Sequence, residues 1–199
     1  MLTSTFEKAL TYAHRAHAGQ VRKGSGVPYI SHLLAVAALV LEAGGNETEA
    51  IGALLHDTVE DQGGRERLDE IRKEFGSVVA AIVEGCSDAF ENPKPEWWER
   101  KRKYLAHLPE ASPSVIKVSV ADKLHNARTF LADYREIGEE LWGRFNTGKE
   151  GTLWYYQELI QVYRKIPYCP RRMVDELERV VAELLCLSNR EKSNCCLNP

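Results

Sequence analysis

Apolar residues recur at helical spacing along almost the whole chain. The stretches between them are punctuated by Gly, Pro and Asn rather than by the tight turns that join paired strands. This pattern predicts an all-α fold, a helical bundle. Helices are expected over 2–18, 31–43, 65–75, 77–86, 96–107, 114–134, 149–165 and 171–186, with one more opened by Asn46. Asn46 is followed three residues later by Glu49, the form of a capping box, and the helix it starts carries His56 and Asp57. The basic segment from Gly19 to Tyr29 holds too many glycines, with Pro28, to be helical. The run Val115-Ile116-Lys117-Val118-Ser119-Val120 is β-branched and could pass for a strand, which makes the start of its helix the least constrained boundary.

A chain of 199 residues with 44% apolar content fits a single domain, expected over 1–187. The polar tail 188–199 is expected to be poorly ordered. The net charge of -3 gives no whole-molecule field for DNA or RNA, so no nucleic-acid partner is expected and an anionic ligand must be held by a local basic cluster. No apolar run approaches the roughly 20 residues of a membrane helix, and the first residues lack a signal-peptide pattern. The expectation is a cytoplasmic protein with no membrane partner. Homo-oligomerisation is compatible with the sequence. Five cysteines, at 86, 169, 186, 195 and 196, lack Cys-x-x-Cys spacing and are expected to be free thiols.

The chemistry should sit at His56-Asp57-Thr58-Val59-Glu60-Asp61. The preceding segment, Ala50 to Leu55, is apolar on nearly all sides, so the polar cluster follows directly on a core helix. Burying such groups without partners costs several kcal/mol. Carboxylates at a helix C-terminus also face the unfavourable end of its dipole. A divalent cation would compensate, and imidazole with carboxylate suits Mn²⁺, Fe²⁺ or Zn²⁺. The plainer alternative is a polar helix end that reaches solvent. His32, at the start of an apolar helix, and Asp122, interrupting the apolar run from Val118 to Leu124, are isolated ionisable groups at core edges. With His56 and Asp57 they make a set of two histidines and two aspartates with room for water or a substrate oxygen. Taken singly, His32 also reads as a satisfied core histidine and Asp122 as a partner for Lys123 or Arg128. Glu60 and Asp61, one turn beyond His56 and Asp57, are placed for acid/base work or are an exposed acidic end. Arg22 and Lys23 lie between glycines that let backbone approach a phosphate, and an arginine can also stack on a purine.

Taken in order, several motifs resemble the hydrolase domain of RelA/SpoT-type proteins in the HD superfamily. They are Ala16-His17-Ala18-Gly19-Gln20-Val21-Arg22-Lys23, Pro28-Tyr29-Ile30-Ser31-His32, Leu54-Leu55-His56-Asp57-Thr58-Val59-Glu60-Asp61, Phe75-Gly76 and Val120-Ala121-Asp122-Lys123-Leu124-His125-Asn126-Ala127-Arg128-Thr129. The length is that of a stand-alone small alarmone hydrolase without synthetase or regulatory domains. The resemblance implies an HD-domain helical bundle that removes the 3′-pyrophosphate of ppGpp and pppGpp, a small-molecule nucleotide substrate, with one Mn²⁺ per chain. It implies metal ligands His32, His56, Asp57 and Asp122 and a catalytic pair Glu60 and Asp61. It implies purine and phosphate contacts from Arg22 and Lys23, and ribose or phosphate contacts from Asn126 and Tyr155, with Tyr156 adjacent. Leu33 stands where long members usually have proline, and Cys86-Ser87-Asp88 replaces their Val-Thr-Lys. These departures leave the base open, so an adenine alarmone such as ppApp is an alternative substrate. Another HD-type nucleotide phosphohydrolase and a catalytically silent alarmone sensor are the other readings.

Overall fold

The apolar periodicity resolves into ten α-helices among the described residues of the computed structural model, which are 1–90 and 93–194, with the side chains of 61, 62 and 190–194 left out. They are α1 (Ser4–Ala16), α2 (Ile30–Glu42), α3 (Glu47–Leu55), α4 (Thr58–Gln62), α5 (Gly64–Phe75), α6 (Ser77–Cys86), α7 (Trp97–His107), α8 (Pro113–Ile137), α9 (Gly148–Lys165) and α10 (Arg171–Asn194). Short 3₁₀ segments, Leu108–Glu110 and Gly138–Arg144, precede and follow α8. The fold is all-α, and extended pairing among the described residues is limited to one isolated bridge between Val21 and Pro28. No helix among them is long and apolar enough to cross a membrane. Cys86, Cys169 and Cys186 are free thiols, and Cys195 and Cys196 lie outside the described residues.

Helix α3 is the pivot of the bundle, packing against α1, α2, α6 and α8. Every residue from Glu49 to Leu55 is buried, as its apolar sequence demands. The capping box forms: Asn46 Oδ1 accepts from the Glu49 amide at 3.0 Å, and the Asn46 amide donates to Glu49 Oε2 at 2.9 Å. Glu49 also accepts from Ser114 Oγ at 3.0 Å and Lys117 Nζ at 2.7 Å, which ties the start of α3 to α8. Gly52 lets α6 come close, since a Cβ there would lie 2.6 Å from Ile82 Cγ2.

Helix ends differ from the sequence expectation at α3, α8 and α10, and the least constrained helix start holds. The helix opened by Asn46 stops at Leu55, and His56 and Asp57 occupy the junction to α4, where Asp57 at φ -93°, ψ -7° opens the helical turn. The β-branched run from Val115 is helical, as the expected helix over 114–134 had it. Ser112 Oγ accepts from the Val115 amide and Pro113 takes the first helical position, while Val115, Ile116, Val118 and Val120 are all buried, so packing outweighs strand preference. Helix α8 continues past Tyr134 to Ile137 and ends at Gly138, whose φ of +56° suits glycine. Finally, α10 runs beyond Cys186 to Asn194. Ser188 is fully buried there and its carbonyl accepts from Lys149 Nζ at 2.5 Å, so the expected tail is helical up to Asn194. Residues 195–199 lie outside the description.

Candidate metal centre

Three separate stretches of chain deliver one cluster. His32 comes from the first turn of α2, His56 and Asp57 from the α3–α4 junction, and Asp122 from the middle of α8. His32 Nε2 lies 3.3 Å from Asp57 Oδ2 and 3.2 Å from Asp122 Oδ1, and His56 Nε2 lies 3.2 Å and 3.7 Å from the same two oxygens. Ligand atoms of His32, His56 and Asp57 all fall within 4.8 Å of one another. Both Nε2 atoms are buried without a hydrogen-bond partner, an arrangement that native interiors tolerate only with a reason.

Each ligand atom is aimed by a group behind it. His56 Nδ1 sits 2.7 Å from the Ala53 carbonyl, which can only accept, so Nδ1 carries a proton and Nε2 is the nitrogen turned toward the carboxylates. His32 Nδ1 lies 2.7 Å from His125 Nδ1. Tyr29 donates its hydroxyl to Asp57 Oδ2 at 2.6 Å, and its ring stacks on the buried His17 at 5.1 Å. Asp122 Oδ2 accepts from Lys123 Nζ at 2.5 Å, and Oδ1 accepts from Asn126 Nδ2 at 2.6 Å.

Burial acts against charge at His56, Asp57 and Asp122, but there the neighbours prevail. The Asp57 carboxylate holds the His56 imidazole well above its ordinary range. His56 and His32 hold Asp57 well below the carboxylate range, and Lys123 with both histidines does the same for Asp122. Burial, with His32 and Arg22 alongside, pushes His125 down to about 4. Two imidazoles and two carboxylates within reach of one another form a candidate donor set for a divalent cation.

The basic loop leads into this cluster. Gly24 and Gly26 adopt φ of +79° and +71°, and the Arg22 amide donates to the Val27 carbonyl at 2.7 Å. Arg22 donates to Asn126 Oδ1 at 2.6 Å, so Asn126 bridges the loop to Asp122. A cavity of about 260 Å³ is lined by Arg22, Lys23, Tyr29, Asn126, Phe130 and Arg144. A second, of about 250 Å³, shares Lys23 and Asn126 and adds Trp97, Lys101, Lys123 and Tyr155. The Tyr155 hydroxyl is buried without a hydrogen-bond partner among the described residues, and Lys101 Nζ lies 4.9 Å from its ring centre. A larger groove of about 710 Å³, between α2, α8 and the start of α10, contains none of the expected site residues.

Glu60 is held by the segment between α6 and α7. Its carboxylate accepts from Lys94 Nζ at 2.8 Å and from the Asp88 amide at 3.5 Å, with Arg100 at 4.0 Å. Burial and the nearby Asp88 charge raise its carboxyl above the ordinary value. The Asp61 side chain lies outside the described residues. Reading the sequence did not single out His125 or Tyr29 as supports of these groups, whereas Lys123 pairs with Asp122 as one of the sequence readings had it. The available signal was spacing on α8, where 122, 125 and 126 share one face.

The HD domain family model matches residues 9–145. The chain is 34% identical over 176 residues to a guanosine-3′,5′-bis(diphosphate) 3′-pyrophosphohydrolase of Homo sapiens, covering 87% of this chain and 90% of that protein. It is 38% identical over 136 residues to a GTP pyrophosphokinase of Streptomyces coelicolor, spanning 67% of this chain but only 16% of that much longer protein. Among solved structures, a metazoan ortholog of SpoT that hydrolyses ppGpp and plays a role in starvation responses superposes with a TM-score of 0.73 at 25% identity, covering 90% of this chain and 96% of the other. A Listeria monocytogenes protein gives a TM-score of 0.63 at 28% identity over 77% of this chain and 97% of its own. With the family model spanning more than half of it, the chain belongs to the HD domain family, as the order of its motifs implied.

Proposed function

We propose that this chain is a metal-dependent pyrophosphohydrolase that removes the 3′-pyrophosphate of alarmone nucleotides, converting ppGpp and pppGpp to GDP and GTP. One observation carries the reading. Two buried, unpartnered imidazole nitrogens meet two carboxylates beside a cavity walled by Arg22, Lys23 and Asn126. The name of the human relative and the activity of the metazoan neighbour support the choice of substrate.

In this reading His32, His56, Asp57 and Asp122 hold one Mn²⁺ per chain. A bound divalent cation supplies Lewis acidity toward a phosphoryl oxygen and toward water. Tyr29, Lys123 and Asn126 keep the two carboxylates turned toward the histidines. Arg22 and Lys23 bind the purine and phosphates, and Asn126 and Tyr155 contact ribose or phosphate. Glu60 and Asp61 act as acid and base: a water oxygen bonds to the phosphorus, the bond from phosphorus to the 3′ oxygen breaks, and the proton from water passes to that oxygen. A carboxyl raised by burial, as Glu60 is, holds a proton more readily than an ordinary carboxylate, which suits a proton carrier.

The test is to incubate the purified chain and Mn²⁺ with ppGpp, pppGpp or ppApp and to separate the products by ion-exchange chromatography. The expected products are the nucleoside 5′-diphosphate or 5′-triphosphate and pyrophosphate in equal amounts. Release of single phosphates would point to another nucleotide phosphohydrolase, and tight binding without turnover would point to a sensor. A preference for ppApp would move the base from guanine to adenine.

A further inference from the structure

We propose that His125 is a positioning residue that sets the tautomer of His32 and, through it, the affinity of the centre for its cation. The inference rests on the metal reading above and on an asymmetry between the two histidines. His56 is backed by a carbonyl, which accepts and never donates, so its Nδ1 has only one arrangement. His32 is backed by another imidazole nitrogen, 2.7 Å away, and either ring can be the donor in that contact.

The two arrangements have opposite consequences for a cation. If His32 Nδ1 donates to His125 Nδ1, the His32 Nε2 lone pair faces Asp57 and Asp122 and is available as a ligand. If His125 donates instead, a neutral His32 carries its proton on Nε2, aimed at Asp57 Oδ2 and Asp122 Oδ1, 3.3 Å and 3.2 Å away, and no lone pair remains. Cation binding therefore selects the form of His125 that accepts at Nδ1. The His32 ring is fully buried, and the group that meets its Nδ1 is the His125 imidazole. His125 lies on α8, three residues from Asp122 and next to Asn126, so the group behind His32 and the Asp122 carboxylate in front of it belong to one helix.

The experiment measures Mn²⁺ binding to the nucleotide-free chain by electron paramagnetic resonance of the free ion, for wild type, His125→Ala and His125→Gln. Removing the acceptor in His125→Ala is expected to raise the Mn²⁺ Kd by about 10–100-fold, the usual effect of losing a group behind a metal ligand. His125→Gln keeps an acceptor oxygen, so its Kd should fall between the other two. The Mn²⁺ concentration needed for half-maximal activation should shift by the same factors. In wild-type protein loaded with Zn²⁺ as a diamagnetic substitute, long-range ¹H–¹⁵N spectra should show His125 protonated on Nε2 and bare on Nδ1.

Wild-type Mn²⁺ affinity in a folded His125→Ala chain would overturn the proposal, as would a proton on His125 Nδ1 in the loaded wild type. If His125→Ala does not fold, the Gln variant and the wild-type spectrum decide the matter. A wild type that binds no divalent cation would instead sink the metal reading itself. Failure to hydrolyse ppGpp touches neither measurement.

Discussion

His32 and His56 present the same ring nitrogen to the same two carboxylates, yet only His56 stands in a motif that announces itself. The proposed ligands were readable from the sequence because an imidazole or carboxylate within an apolar run needs compensation wherever the chain places it. Of their supports only Lys123, next to Asp122 in sequence, was readable. His125 reaches His32 across 93 positions, and Tyr29 reaches Asp57 across 28, separations that leave no periodic trace. Glu60 was legible as an acidic group near the cluster, but its engagement by Lys94 and Asp88 depends on a connection whose course no spacing rule gives. The residue-scale prediction separates the two proposed roles. Asp57→Ala should lose Mn²⁺ binding and turnover together, whereas Glu60→Gln should keep the metal and lose roughly 10²–10⁴-fold in kcat, the range for general acid–base groups. Metal titration alongside steady-state rates checks both, and full activity in Glu60→Gln would end its assignment as a proton carrier.

Helices announced by caps and breakers matched the structure closely: α5 and α6 end where the pattern ended, at Phe75 and Cys86, and α3 opens on its capping box. Boundaries failed where burial or a site took over. Asp57 breaks what periodicity presented as one helix, and α8 runs past the expected Tyr134 to Ile137, while its β-branched start is helical as expected. The connection between α6 and α7 is anchored by Asp88, whose carboxylate accepts from Arg100 and Lys101 at 2.5 Å each with only 4% of the side chain exposed. Burial opposes its charge, but Lys101 and Arg100 bring the carboxyl down to about 2. Asp88→Asn should therefore destabilise the fold by about 3–5 kcal/mol, the cost of leaving buried cations unpaired. The sign with pH follows from the depressed value. The contribution of Asp88 is present above the unfolded carboxyl value near 3.9 and fades as pH falls toward about 2. Urea unfolding of both proteins should show a constant gap from pH 7 to about 5 that narrows in stronger acid. A gap independent of pH would mean that the ion pairs do not stabilise this connection.

For the whole molecule, a cation held by groups from α2, the α3–α4 junction and α8 binds only the folded chain, so it should raise the unfolding temperature. With free Mn²⁺ about 100-fold above its Kd the gain is about 2.7 kcal/mol. For a chain of this size that corresponds to roughly 5–10 °C in Tm. Scanning calorimetry should show the shift, EDTA should reverse it, and Asp57→Ala should abolish it. An unchanged Tm would argue that these residues hold no metal. The hydrogen bond from Arg22 to Asn126 carries this dependence into folding kinetics. It closes a loop of 104 positions, whose closure entropy is met only when the packing of the helices between holds its ends together. The two walls of the cavity therefore meet only as the last segments dock. A nascent or partly opened chain holds no half-built pocket in which to trap a nucleotide, and ligand retention becomes a reporter of complete folding.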